Sequence, residues 1–376
     1  MNSERSLNLL GAQKEKLATP CLVLDLDRFE YNIAKMATHV ANSKLSLRPH
    51  AKSHKCVEIA RRHIAEGALG VCAATITEAE DMARGGITGI LITSEMAGRQ
   101  KIERLVRLTM KAPDTMSVVD NLAHAEQLND AARERGVALN VLIDLDLGLH
   151  RTGVASVAEG MSLAEAVMKL TALRLKGVNA YSSMSAHVRG WADRREHSLK
   201  SMAMAAELFT RMRAAGMPVE ILSGGSTGTY NIDTEIPEMT ELQAGSYIFM
   251  DVDYSIIGGQ DGNPVYDDFQ SSLTVLTTLM SKNHKGIATV DAGFKAFATD
   301  CSAKPRLSEP DEVKYHFAGD EHGIIELSDS TAGVRIGQKL EFVVPHCDPT
   351  VNLYDYITCL RGGRVEAIWE IGRGYR

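Results

Sequence analysis

The sequence predicts an α/β protein, a (β/α)8 TIM barrel with a second, mainly antiparallel β domain, and three observations carry that reading. Between about residues 22 and 245, short apolar runs alternate with longer stretches of helical periodicity, the rhythm of parallel strands joined by crossover helices. Eight such strand–helix units fit into about 220 residues, the size of one barrel. After Gly245 the pattern shortens to that of strands broken by Gly, Asn, Asp and Pro clusters. The 376 residues divide accordingly into a barrel over 27–245 and a β domain made of 1–26 together with 246–376.

Taken in order, the barrel strands are expected near 45–49, 69–74, 88–93, 115–119, 139–145, 175–181, 219–223 and 241–244. Helices are expected over Asp27 to Ala41, Val57 to Glu66, Thr77 to Arg84, Ile102 to Lys111, Leu122 to Arg135, Val157 to Met168 and His197 to Ala215. Gly67, Gly86, Gly136 and Gly216 follow several of these and suit the left-handed position that ends a helix. Beyond the barrel, Ser272 to Met280, Gly286 to Val290, Lys339 to Val344 and Val365 to Ile371 read as strands, and the early run Cys21 to Leu26 is expected to join them.

Apolar residues make up 44% and charged residues 24%, which excludes a disordered or collagen-like chain. The net charge of −7 gives no overall pull toward nucleic acid or an anionic membrane surface, so a small-molecule enzyme is the expected class. No apolar run reaches membrane-spanning length, and the polar start of the chain lacks the apolar core of a secretory signal, so the expected location is cytoplasmic. Six scattered cysteines without a CxxC pair are expected to be reduced, most of them as small core residues.

Three polar clusters stand out. The first is Arg48-Pro49-His50-Ala51-Lys52-Ser53-His54-Lys55, at the C-terminal end of the first barrel strand, where such barrels carry their active sites. A lysine on an inward strand position there, among other cations, has its ammonium form disfavoured and becomes an amine nucleophile, which singles out Lys52. A solvated basic loop is the structural alternative. The second is Ser223 to Thr229, after the seventh strand, whose glycines let backbone N–H groups approach a phosphate; a plain turn is its alternative. In the third, Pro345-His346-Cys347-Asp348, an extended strand sets His346 and Asp348 on one face, able to hold an open-sited Mn, Mg, Co or Zn ion; a solvent-exposed His-x-Asp arising by chance is its alternative. Arg151 and the stretch Tyr181 to His187 follow strands five and six at the same mouth. His322, in Asp320 to Gly323, offers an acid–base group.

Thr19-Pro20, the Arg48–Lys55 octet, the Gly224–Thr229 loop, Glu241 to Tyr247, Asp320 to Gly323 and His346 to Asn352 together, in this order and over nearly the whole chain, resemble the D-threonine aldolase family. That family includes D-3-hydroxyaspartate aldolases and neighbours the metal-dependent D-serine and D-3-hydroxyaspartate dehydratases. The resemblance implies a fold-type III, alanine racemase-like enzyme using pyridoxal 5′-phosphate (PLP) and a divalent metal, usually as a homodimer, on a small amino-acid substrate. It implies Lys52 as the Schiff-base lysine, Arg151, Tyr181, Gly225, Ser226, Thr227 and Gly228 around the cofactor, and His346 and Asp348 as metal ligands. It also implies retro-aldol cleavage of a D-3-hydroxy amino acid to glycine and an aldehyde. Dehydration to a 2-oxo acid and ammonia is the alternative, and a non-catalytic PLP-binding protein is the alternative of another class. One position departs from the pattern: Ser182 stands directly after Tyr181, where the family carries a histidine. Serine is a poor base at neutral pH, so if that histidine acts in catalysis its role passes to His187, His322, water or nothing.

Overall fold

A computed structural model describes residues 9–308, 313–328 and 333–372. The first eight and last four residues of the expected β domain lie outside it. The chain forms two compact units: one built from the residues up to Ala34 with Ser246–Gly259 and Asn263–Gly372, the other from Lys35–Gly245 with Gln260–Gly262.

In chain order, β1 (Cys21–Asp25) and α1 (Leu26–Ala41) precede the barrel. Its strands are β2 (Ser46–Leu47), β3 (Cys72–Ala73), β4 (Leu91–Ile92), β5 (Met116–Val119), β6 (Leu139–Asp146), β7 (Leu173–Tyr181), β8 (Ile221–Gly224) and β9 (Glu241–Leu242). Every strand falls inside or upon an expected one. All neighbours pair in parallel, in the order β2-β9-β8-β7-β6-β5-β4-β3, and a parallel bridge between His50 and Cys72 joins the two ends of that order. Between them run α2 (Val57–Ala65), α3 (Ile76–Arg84), α4 (Arg99–Lys111), α5 (Leu122–Glu134), α6 (Val157–Val167), α7 (Ser183–Ala186) and α8 (Trp191–Ala214). Buried Cys72, Leu91, Met116, Val118 and Leu142 pack as one cluster of this unit. Such strands, buried on both faces, read as continuous apolar runs, which is why the sequence located them.

The helix expected from His197 begins six residues earlier, at Trp191, capped by Gly190. The early part, Trp191 to Glu196, is polar, yet it hides a fully buried Arg194, so its amphipathic signal is masked. The four-residue α7 was not anticipated, being shorter than the window in which helical periodicity can be read.

The other unit holds one mainly antiparallel sheet of nine strands. Its added members are β10 (Leu273–Ser281), β11 (Ile287–Val290), β12 (Arg306–Leu307), β13 (Tyr315–Phe317), β14 (Gly323–Glu326), β15 (Lys339–Val343), β16 (Tyr356–Arg361) and β17 (Arg364–Glu370). As expected, β1 joins this sheet, antiparallel to β10 and parallel to β16. Leu17, Val23, Leu276, Leu360 and Val365 form a buried cluster on it. The four strands β12, β13, β14 and β16 were missed: three span only two to four residues, too few to show an alternation. Among the described residues no helix is long and apolar enough to cross a membrane.

Candidate functional site

The Arg48–Lys55 octet separates into buried, ion-paired residues and a half-buried lysine. Arg48 is buried and its guanidinium chelates the buried Glu241 carboxylate, Nε to Oε1 and Nη2 to Oε2, each at 2.9 Å. Lys55 is also buried, 3.8 Å from Glu78. Lys52 lies one turn beyond the strand, in the 3-10 turn Ala51–Ser53, rather than on an inward strand position. The cause is His50, which takes an extended backbone, accepts the Lys52 N–H at its ring and starts the turn. The turn puts Lys52 Nζ 5.6 Å from the centre of the Tyr181 ring, at the C-terminal end of β7, close enough for a cation–π contact. His50 Nε2 lies 3.0 Å from Thr93 Oγ1. Burial, with Lys52, His54 and Arg151 acting in the same direction, holds the His50 imidazole neutral well below its usual range. Arg151 is exposed in the loop after β6. That loop is tightly made: Asp146 accepts the N–H groups of Gly148, Leu149 and His150, and Asp144 accepts the Thr152 hydroxyl at 3.0 Å.

The loop after β8 is shaped by its glycines. Gly225 has φ +77°, and a Cβ there would come 2.8 Å from Asp233 Oδ2; a Cβ on Gly224 would come 2.1 Å from the Ala180 carbonyl oxygen. No other residue type fits either place. Ser226 and Thr227 are buried, and Ser226 N–H donates to Thr229 Oγ1 at 3.1 Å. A glycine turn of this kind, at the barrel face after the seventh strand, stands where such barrels usually bind a phosphate, so the residues present fit PLP.

Ser182 is engaged structurally. It caps α7, accepting the N–H of Ser185 at 3.1 Å and its hydroxyl at 2.8 Å, and Ser185 Oγ lies 2.9 Å from His197 Nδ1. His187 is exposed at the end of that helix.

His346 and Asp348 do not share an extended strand. His346 is extended, but it precedes α9 (Cys347–Val351), so Asp348 lies in the first turn of a helix. Pro349, acceptable only in a first helical turn, and the Asp251 carboxylate that accepts the Cys347 N–H at 2.8 Å both favour a helix start here. His346 Nδ1 lies 2.7 Å from Asp300 Oδ2, and Ser246 Oγ donates to Asp348 Oδ1 at 3.4 Å. An imidazole tethered at Nδ1 to a carboxylate presents Nε2 as a lone-pair donor, the habit of a metal-binding histidine, so the donors fit a divalent ion. Among the described residues no group of three or more His, Cys, Asp and Glu side chains gathers to hold a metal. His322 lies exposed in the turn between β13 and β14. All six cysteines are free.

Several groups went unremarked in the sequence. Asn179 Nδ2 donates to Asp144 Oδ1 at 2.6 Å, and Gln243 Nε2 donates to Asn179 Oδ1 at 2.7 Å, a buried polar ladder across β6, β7 and the end of β9. Burial, and then the charge of the adjacent Asp144, push the Glu95 carboxyl well above its ordinary range. The alternation of Asp144 and Asp146 in an otherwise apolar strand was the available signal. No comparable signal marked Arg194, whose neighbour Arg195 is an exposed partner of Glu235.

Behind the octet His63 is buried, its ring centre 6.0 Å from that of His54, and burial drives it from an ordinary 6.5 down to about 3. Below pH 6.5 the unfolded chain binds a proton that the folded chain refuses, so this residue lowers stability as pH falls through that window. His63→Leu removes the titration. Relative to wild type the variant gains about 1.4 kcal/mol per pH unit below that point, read as the difference in urea unfolding free energy. The comparison cancels the buried Asp233, raised to about 6, which acts with the opposite sign. A difference that does not change with pH contradicts a neutral His63.

Residues 24–253 match the family model for the N-terminal domain of alanine racemase, and residues 272–360 match that of a serine dehydratase domain. A 3-hydroxy-D-aspartate aldolase of Paracoccus denitrificans is 35% identical over 372 residues, covering 98% of this chain and 95% of its own. The D-threo-3-hydroxyaspartate dehydratase of Delftia sp. is 30% identical over 388 residues, covering 96% of this chain and 98% of its own. The crystal structure of D-threonine aldolase from Filomicrobium marinum superposes with a TM-score of 0.91 at 35% identity, over 97% of this chain and 98% of that one.

Proposed function

Since the chain belongs to the family that joins an alanine racemase N-terminal domain to a serine dehydratase domain and includes the 3-hydroxy-D-aspartate and D-threonine aldolases, we propose that it is a PLP-dependent carbon–carbon lyase. Its reaction is retro-aldol cleavage of a D-3-hydroxy amino acid to glycine and an aldehyde, with a divalent metal as second cofactor. The observation that carries the reading is the full-length likeness to two aldolases at 35% identity, against 30% for the dehydratase.

In this reading Lys52 holds PLP covalently, the Tyr181 ring and Arg151 bound its ring, and Gly225, Ser226, Thr227 and Gly228 receive its phosphate. PLP bound there supplies an electron sink for the pair left on Cα when the Cα–Cβ bond breaks. His346 and Asp348 hold the metal, which supplies Lewis acidity toward a hydroxyl oxygen. The β-hydroxyl proton must leave as the carbonyl forms, and His187 and His322 are the candidate acceptors, since both imidazoles are exposed and Ser182 Oγ is committed to capping α7. The proposal includes the homodimer and the cytoplasmic location.

Purified protein given PLP and a panel of D- and L-3-hydroxy amino acids releases glycine and aldehyde from D-substrates. Release of ammonia and a 2-oxo acid instead would favour the dehydratase. Chelation lowers the rate by about tenfold or more, and added Mn2+ restores it; a rate indifferent to chelator removes the metal from the proposal.

A further inference from the structure

The Gly224–Thr229 loop is held from behind by two side chains one turn apart on α8. Arg194 is fully buried; its Nε donates to the Gly228 carbonyl at 2.8 Å and its Nη1 to the Val188 carbonyl at 2.9 Å. Ser198 donates to Asp233 Oδ1 at 2.7 Å, and Thr229 Oγ1 donates to Asp233 Oδ2 at 2.5 Å, carrying the same hold to Ser226 through the Ser226 N–H. A loop that offers N–H groups to an anion must turn its carbonyls away. Here the carbonyl of Gly228, one of three glycines in the loop, is turned toward Arg194 on α8 and fixed by a cation. The same guanidinium fixes the segment after His187. Two carbonyls on separate segments are met here by two donors fixed in one plane, Nε and Nη1, a geometry that the rotatable donors of an ammonium do not fix. Held out of water, its charge is little screened by salt and favours a dianion nearby.

We infer that Arg194 is the positioning residue that gives this loop its affinity for the phosphate of the cofactor, separately from the attachment of the cofactor to Lys52. The inference rests on the proposed PLP reading. It predicts a loss confined to ligands that carry the phosphate. Apo-protein is titrated with PLP and with pyridoxal, followed by absorbance, for wild type, Arg194→Met, Arg194→Lys and the control Arg195→Met. In Arg194→Met the Kd for PLP rises by about tenfold or more, while that for pyridoxal moves less than about twofold. Arg194→Lys, which keeps the charge and loses the fork, shows the same selectivity to a smaller degree and serves if the methionine variant does not fold. Arg195→Met matches wild type. Equal weakening of both ligands, or of neither, overturns the assignment. Wild-type protein that binds no PLP overturns the proposed function instead, so the two failures are told apart.

Discussion

Lys52→Ala abolishes the borohydride-trapped PLP adduct and lowers turnover by at least about 10³-fold. The expectation rests on where the lysine is held. His50 initiates the 3-10 turn, and the turn carries Nζ out of the strand to 5.6 Å from the Tyr181 ring. The turn is fixed from the other side too: a Cβ on Gly245 would come 2.7 Å from the His50 carbonyl oxygen. Truncating a half-buried side chain leaves this backbone scaffold intact, so the variant stays folded and the loss is chemical. Lys55→Ala is the control. Its ammonium is buried 3.8 Å from Glu78, so its removal costs stability while the adduct still forms at residue 52. Peptide mapping of the reduced adduct decides the matter: a label retained in Lys52→Ala, or found on Lys55 in wild type, removes Lys52 from the role.

The barrel was legible because each of its strands is an apolar run followed by a periodic helix, and burial on both faces demands that pattern. The β unit was half legible. Long strands such as Leu273–Ser281 show in the sequence, whereas Arg306–Leu307 exists because Leu307 pairs with Phe342 of a distant strand. Cofactor-site candidates were found where glycine or an out-of-place charge interrupts a pattern, as at Gly224–Gly225 and Lys52. His346 and Asp348 were singled out as candidates on an extended strand, whereas Asp348 lies in a helical turn, since the helix start depends on Asp251, nearly a hundred residues away. Arg194 was invisible for the converse reason. Its sequence neighbourhood is that of a solvated helix face, and only tertiary packing separates it from Arg195.

The Arg48–Glu241 pair is the second place where a large effect is expected, and it decides how the octet is to be read. The two side chains are 5% and 3% exposed and meet through two hydrogen bonds of 2.9 Å; the guanidinium also donates to the Gly89 carbonyl. They tie the end of β2 to the start of β9, which pair in parallel, at the junction of the first and last barrel strands. Arg48→Met strands a buried carboxylate that cannot reach water, and costs about 3–5 kcal/mol of unfolding free energy. Glu241→Leu strands the guanidinium at a similar cost. The double variant leaves neither charge behind, and because an ion pair removed from water gains little net energy over apolar packing, it recovers most of the loss. Urea unfolding of the four proteins therefore gives a strongly non-additive cycle. Single costs below about 1 kcal/mol, or costs that simply add, contradict a buried pair that must be removed together. The double variant, if folded, still traps PLP on Lys52. That outcome separates the arginine, which ties the first barrel strand to the last, from the proposed cofactor lysine four residues later.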